Sequence, residues 1–130
     1  MSKIKIIGLD PSLRNFGIAK GWLDLETLEW QVEEVELVRT EKGKSKTVRK
    51  SNDDYQRARI LYEGLKEAEK GAEIAFIEMP IGSQSASAML SYGACIALAA
   101  SLDIPTIQVT PAQVKLHATC LLYTSPSPRD

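Results

Sequence analysis

Two carboxylates stand where short apolar runs end: Asp10 after residues 4–9 and Glu78 after residues 74–77. Open α/β sheets place their ligand crevices at the carboxyl ends of strands, so both positions are candidates for chemistry. If the two runs are parallel neighbours, about 5 Å apart, the carboxylates converge. At about 4 Å and an effective dielectric near 20, their repulsion is about 4 kcal/mol. A shared proton would offset it. A divalent cation would do so better, and hard oxygen ligands with open positions suit Mg²⁺, with Mn²⁺ able to substitute. The plainer alternative is that Asp10-Pro11 opens a turn and Glu78 only closes a strand. The remaining reactive side chains point elsewhere. Cys95, among Ala94, Ile96 and Ala97, reads as a small buried hydrophobe, and the single histidine, His117, has no Cys or Asp at metal-ligand spacing. Ser83, Ser85 and Ser87 have no visible base, and helix capping accounts for them.

The elements that must position these groups follow from period and punctuation. Residues 3–9 begin with alternation and turn continuously apolar, as a strand entering a buried sheet does. Residues 16–23 form a second strand by aromatic and branched content, its two glycines suggesting close backbone approach. Residues 28–38 form a third, with a register break at Glu33-Glu34 of the kind a bulge produces. These three make an antiparallel meander. Residues 39–50 form a basic loop, with Arg39, Lys42, Lys44, Lys46, Arg49 and Lys50 against Glu41. Ser51 and Asp54 signal a helix start, Tyr55, Ala58, Leu61, Tyr62, Leu65 and Ala68 recur at helical spacing, and Gly71 stops the pattern. Residues 74–78 fit a buried parallel strand, residues 83–102 a helix of small residues, and residues 105–109 a further strand. Thr110-Pro111-Ala112-Gln113 is a helix start. The order β-β-β-α-β-α-β-α is mixed α/β.

The chain has 130 residues, 16 Lys plus Arg against 17 Asp plus Glu, and a formal charge of −1, the arithmetic of one domain. Binding of nucleic acid by bulk positive charge is excluded; a DNA partner would be met by a local basic patch or through metal ions. No apolar run approaches the roughly 18 to 20 residues that span a bilayer, and the N-terminus carries no export signal, so the expectation is a cytoplasmic protein with Cys95 and Cys120 reduced and no membrane partner. Residues 120–130, with their Ser-Pro repeats, have no periodic pattern and resemble translated sequencing-adapter bases. The expected organisation is therefore a single incomplete domain over residues 1–119 and an artefactual or disordered tail over 120–130.

Gly8-Leu9-Asp10-Pro11-Ser12-Leu13-Arg14-Asn15-Phe16-Gly17 resembles the first-strand motif of RuvC-type Holliday-junction resolvases, of the RNase H-like superfamily. Phe76-Ile77-Glu78 with its small-residue helix is similar to the family's second acidic strand, and Val109 to Lys115 to its strand-then-helix segment with a DNA-contacting lysine. The resemblance implies an RNase H-like mixed sheet, a three-stranded antiparallel meander plus parallel strands, flanked by helices with the last one missing, in a sequence of the phage-encoded type. It implies a Mg²⁺-dependent, structure-selective endonuclease acting on four-way DNA junctions, as a homodimer when intact, with Asp10 and Glu78 as catalytic metal ligands in a two-metal hydrolysis. Lys115 would face the backbone phosphate near the scissile bond, and Arg14, Ile81, Lys44, Lys46 and Arg49 would contact DNA.

Departures from the pattern matter. Ser12 stands where the resolvases usually have Gly, and Ile81 where some carry an aromatic wedge; an apolar side chain can still act as a wedge, but stacking is lost. The family's further acidic residues lie on a final helix that this chain does not reach, and Asp130 in the tail is no substitute, so the chain as written is expected to be weak or inactive. Two alternatives stand beside this reading: a non-catalytic DNA-binding module of the same fold, and a fragment of an actin-like ATPase, against which Leu13-Arg14-Asn15 is a poor phosphate cradle.

Overall fold

A computed structural model of the chain describes residues 2–43, 49–78 and 85–109. Strands β1 (Lys3–Asp10), β2 (Asn15–Asp24) and β3 (Trp30–Arg39) form the meander, and helix α1 (Lys50–Glu69) carries the chain to β4 (Ile74–Glu78). Helix α2 (Ala86–Ala100) then leads to β5 (Thr106–Val109). The five strands lie in the order β3-β2-β1-β4-β5, with β4 parallel to β1 and β5 parallel to β4. The mixed α/β architecture read from the sequence is therefore the observed one.

The register break expected at Glu33-Glu34 is present. Lys20 pairs with Glu34 and Gly21 with Val32, leaving Glu33 as the extra residue of a bulge. Gly21 is required there, because a Cβ would lie 2.0 Å from the Gln31 carbonyl oxygen. Leu28, expected inside the third strand, instead stands at φ 63° in the preceding turn, and β3 starts two residues later.

Burial assigns the faces. Ile7 and Leu9 of β1, Phe16 and Ile18 of β2, and Ala75 and Ile77 of β4 form one core with Leu61, Leu65 and Ala68 of α1 and Cys95 and Leu98 of α2. Both helices thus cover one face of the sheet. The buried stripe of α1 is Arg57, Leu61, Leu65 and Ala68, at spacings of four, four and three. This corrects the sequence reading: Tyr55 and Tyr62, expected on the apolar face, are exposed. The start of α1 also differs, since Arg49 occupies the N-cap position with no side-chain cap, and the first-turn Asp53 instead accepts the Gly43 N–H at 3.0 Å. Gly71 ends the pattern as expected, at φ 79°. Helix α2 is shorter than residues 83–102; Ser85 caps it by accepting the Ala88 N–H at 3.1 Å.

Alternation turns Trp30, Val32, Val35, Leu37 and Ile107 to the other face of the sheet, where all five are exposed. The helix start at Thr110 lies outside the described residues.

Candidate functional site

Strand β1 pairs with β4 through Ile6–Ile74, Ile7–Ala75, Gly8–Phe76 and Leu9–Ile77. Asp10 and Glu78 are the next residues of the two strands beyond the Leu9–Ile77 pair, and neighbouring strands of a sheet lie about 5 Å apart. Leu9 and Ile77 both point into the core, so strand alternation sends both carboxylates to the opposite face. Asp10 is exposed and Glu78 half-buried. Across the sheet from Asp10 is Gly17, whose missing side chain leaves that flank open; a Cβ there would sit 3.5 Å from the Asp10 Cβ. Val109 pairs with Glu78 on the other side.

Among the described residues neither carboxylate has an ion-pair or hydrogen-bond partner. Among the described residues no cation pairs with either, and the donor set, two hard carboxylates on one face, fits a divalent metal of the Mg²⁺ class. They supply two ligands; no group of three or more His, Cys, Asp or Glu able to hold an ion occurs among the described residues. The remaining coordination would come from water, substrate or residues outside those described.

The turn that follows Asp10 is held from three sides. Leu13, itself buried, donates its N–H to Ser91 Oγ of α2 at 3.1 Å, and its carbonyl accepts the Thr40 hydroxyl at 2.5 Å. Thr40 N–H bonds to the Arg14 carbonyl at 2.9 Å, and the Thr40 hydroxyl accepts Arg57 Nε–H at 3.0 Å. Helix α1, the end of β3, the turn and α2 are tied together immediately beside Asp10. Arg14 is exposed in that turn, and its side chain has no ion-pair partner among the described residues. Arg49, also exposed, precedes α1, where its carbonyl accepts the Asn52 and Asp53 N–H groups. Lys44, Lys46, Ile81 and Lys115 lie outside the described residues. Burial pushes the Cys95 thiol up, against an opposing hydrogen bond from Ser91, in keeping with an unreactive core residue.

Sequence reasoning missed Thr40 and Arg57. Arg57 stands four residues before Leu61, on the heptad-like stripe that turns out to be buried, and that spacing was the available signal.

No protein-family model matches the sequence, and no curated protein matches it. Solved structures do resemble it. RuvC of T. thermophilus, solved in complex with Holliday junction substrate, superposes with a TM-score of 0.54 at 16% identity, over 98% of this chain and 84% of that one. The fowlpox virus Holliday junction resolvase gives 0.52 at 10% identity, over 94% and 76%. An Aquifex aeolicus member of the Ppx/GppA family gives 0.52 at 10% identity, over 96% and 41%. At these identities the likeness establishes the fold: an RNase H-like α/β sheet. Among the described residues, no helix is long and apolar enough to cross a membrane.

Proposed function

We propose that the protein is a divalent-metal-dependent endonuclease that hydrolyses phosphodiester bonds in branched DNA, with four-way junctions as the substrate class. The observation that carries this reading is the parallel register of β1 and β4, in which Asp10 and Glu78 are the residues next after the Leu9–Ile77 pair, neither carboxylate having an ion-pair partner among the described residues. The likeness of the fold to two Holliday junction resolvases supports it.

Asp10 and Glu78 would hold Mg²⁺, or Mn²⁺ in its place. A metal held there would supply Lewis-acid stabilisation of the phosphate and would make an attacking water more acidic. The rigid strand ends fix the two carboxylates, and the hydrogen bonds through Leu13 and Thr40 fix the turn that follows Asp10. Arg14 and Arg49 meet backbone phosphates, and with them Lys44, Lys46 and Lys115; Ile81 serves as an apolar wedge at the branch. The partner is branched DNA, met by a homodimer.

The test is a labelled four-way junction incubated with the chain and Mg²⁺ beside a linear duplex of the same sequence. Nicking confined to the junction, abolished by EDTA and by Asp10→Asn or Glu78→Gln with binding retained, supports the reading. Cleavage by either variant at the parental rate overturns it. Junction binding without nicking in Mg²⁺ or Mn²⁺ favours a non-catalytic module of the same fold.

A further inference from the structure

On the helix-covered side of the turn after Asp10, the molecule has a second feature that the carboxylate pair does not use. A cavity of about 590 Å³ opens between the β1–β2 turn, Glu41 and Lys42 after β3, the first turns of α1, and the beginning of α2. Arg14, Lys42, Lys50 and Arg57 line it, against the single carboxylate Glu41. Lys50 is partly neutralised by Asp54 at 3.3 Å; the other three cations have no ion-pair partner among the described residues.

Arg57 is the unusual member. It is 6% exposed, and among the described residues only its Nε–H finds an acceptor, the Thr40 hydroxyl. A guanidinium carries five N–H donors in a planar fork and cannot shed its charge, so donors left open at a cavity wall are placed to meet an acceptor with negative charge. Thr40 also fixes the plane of the fork, because its hydroxyl proton is committed to the Leu13 carbonyl. Ser12 and Ser91 add hydroxyls to the lining, and the first turn of α2, which carries no acidic residue, adds the positive end of a 15-residue helix. Cations gathered in a concave wall repel one another unless an anion enters, and a guanidinium fork matches a phosphate with two parallel hydrogen bonds.

We propose that this cavity is a phosphate-binding site, with Arg57 as its anchoring donor and Arg14, Lys42 and Lys50 closing around the oxyanion. Resting on the nuclease reading for the source of that phosphate, the site takes a backbone phosphate of the DNA away from the bond that is cut. It grips the strand from the helix side of the sheet edge while the carboxylates act from the other.

The test has two arms on the 130-residue chain. In the first, inorganic phosphate is titrated while backbone amide NMR shifts are followed. Saturable shifts at Leu13, Arg14, Ala88 and Ser91, lost in Arg57→Gln and weakened in Lys42→Gln, are expected. The absence of saturable shifts there, or shifts unchanged in both variants, would overturn the site; Lys42 is exposed, so its variant reports even where Arg57→Gln perturbs folding. In the second arm, four-way junction binding is measured across a salt series. Arg57→Gln is expected to lower affinity by about tenfold and the salt slope by about one, as loss of one phosphate contact does. Arg57→Lys recovers the slope but not the full affinity, and Lys20→Gln, beyond the bulge, changes neither. Phosphate shifts that junction DNA fails to displace would assign the site to a free phosphate and overturn the DNA assignment. In Asp10→Asn the phosphate shifts should persist while nicking is lost, so loss of nicking and loss of phosphate binding are separable results.

Discussion

Arg57 donates its Nε–H to the Thr40 hydroxyl at 3.0 Å, and Thr40 hands its own proton to the Leu13 carbonyl at 2.5 Å. Through these two bonds a buried cation of α1 reaches Leu13, three residues after Asp10 in the turn that follows it. Both partners are buried, so the pair is structural as well as electrostatic.

Thr40→Val, which keeps the shape and deletes the hydroxyl, strands the Leu13 carbonyl and the Arg57 Nε–H. It should cost about 1–3 kcal/mol, read as a lower urea midpoint at unchanged slope, and Thr40→Ser should recover most of the loss. A Thr40→Val protein as stable as the parent would show that the turn is held by other contacts.

At the far end of α1, Glu69 accepts N–H groups of Asp103 and Ile104 and pairs with Lys66 at 2.6 Å, so α1 is stapled to the loop before β5. Burial pushes its carboxyl up, but the Lys66 ammonium and the two backbone donors outweigh burial and hold it below the ordinary 4.5. Folded Glu69 thus binds its proton less tightly than the unfolded chain does. Its contribution is full above about pH 4.5 and is lost as pH falls through the lowered folded value. Glu69→Gln should therefore lower stability at neutral pH and flatten the acid limb of the urea midpoint against pH. An acid limb of parental steepness would contradict this. The similarly lowered Glu67, paired with Lys70 on the surface, should contribute little.

Two glycines on the same strand should respond in opposite ways. Gly21→Ala forces a methyl to 2.0 Å from the Gln31 carbonyl oxygen at the bulge and should destabilise by about 3 kcal/mol or more. Gly17→Ala places its methyl 3.5 Å from the Asp10 Cβ, ordinary contact, and should fold normally while crowding the flank of the carboxylate. Thermal melts of the two variants check both; equal melting temperatures would contradict the bulge assignment.

Much of this was legible in the residues. The meander, the bulge at Glu33 and the parallel strands ending in Asp10 and Glu78 all leave periodic or punctuated signals, because alternation and burial of a central sheet are written in consecutive residues. Which side of α1 is buried was not legible: Tyr55 and Tyr62 outweigh Arg57 on any hydropathy pattern, yet Arg57 is the one buried, since the Thr40 hydroxyl offers it a partner that lies 17 residues away in sequence. The same holds for Glu69, whose acceptors become useful only once the loop at Asp103 folds back over α1. The basic residues 39–50 were visible as a cluster, but that Lys42 and Lys50 line a cavity together with Arg14 depends on the turn beside Asp10.

Whether Asp10 and Glu78 together hold a divalent metal is read out by Mn²⁺ binding followed by electron paramagnetic resonance. The protein is expected to take up Mn²⁺, with Mg²⁺ competing for the site and Asp10→Asn and Glu78→Gln each weakening binding by at least about tenfold. Mn²⁺ bound as tightly by both variants as by the parent would contradict a metal site shared by the two carboxylates.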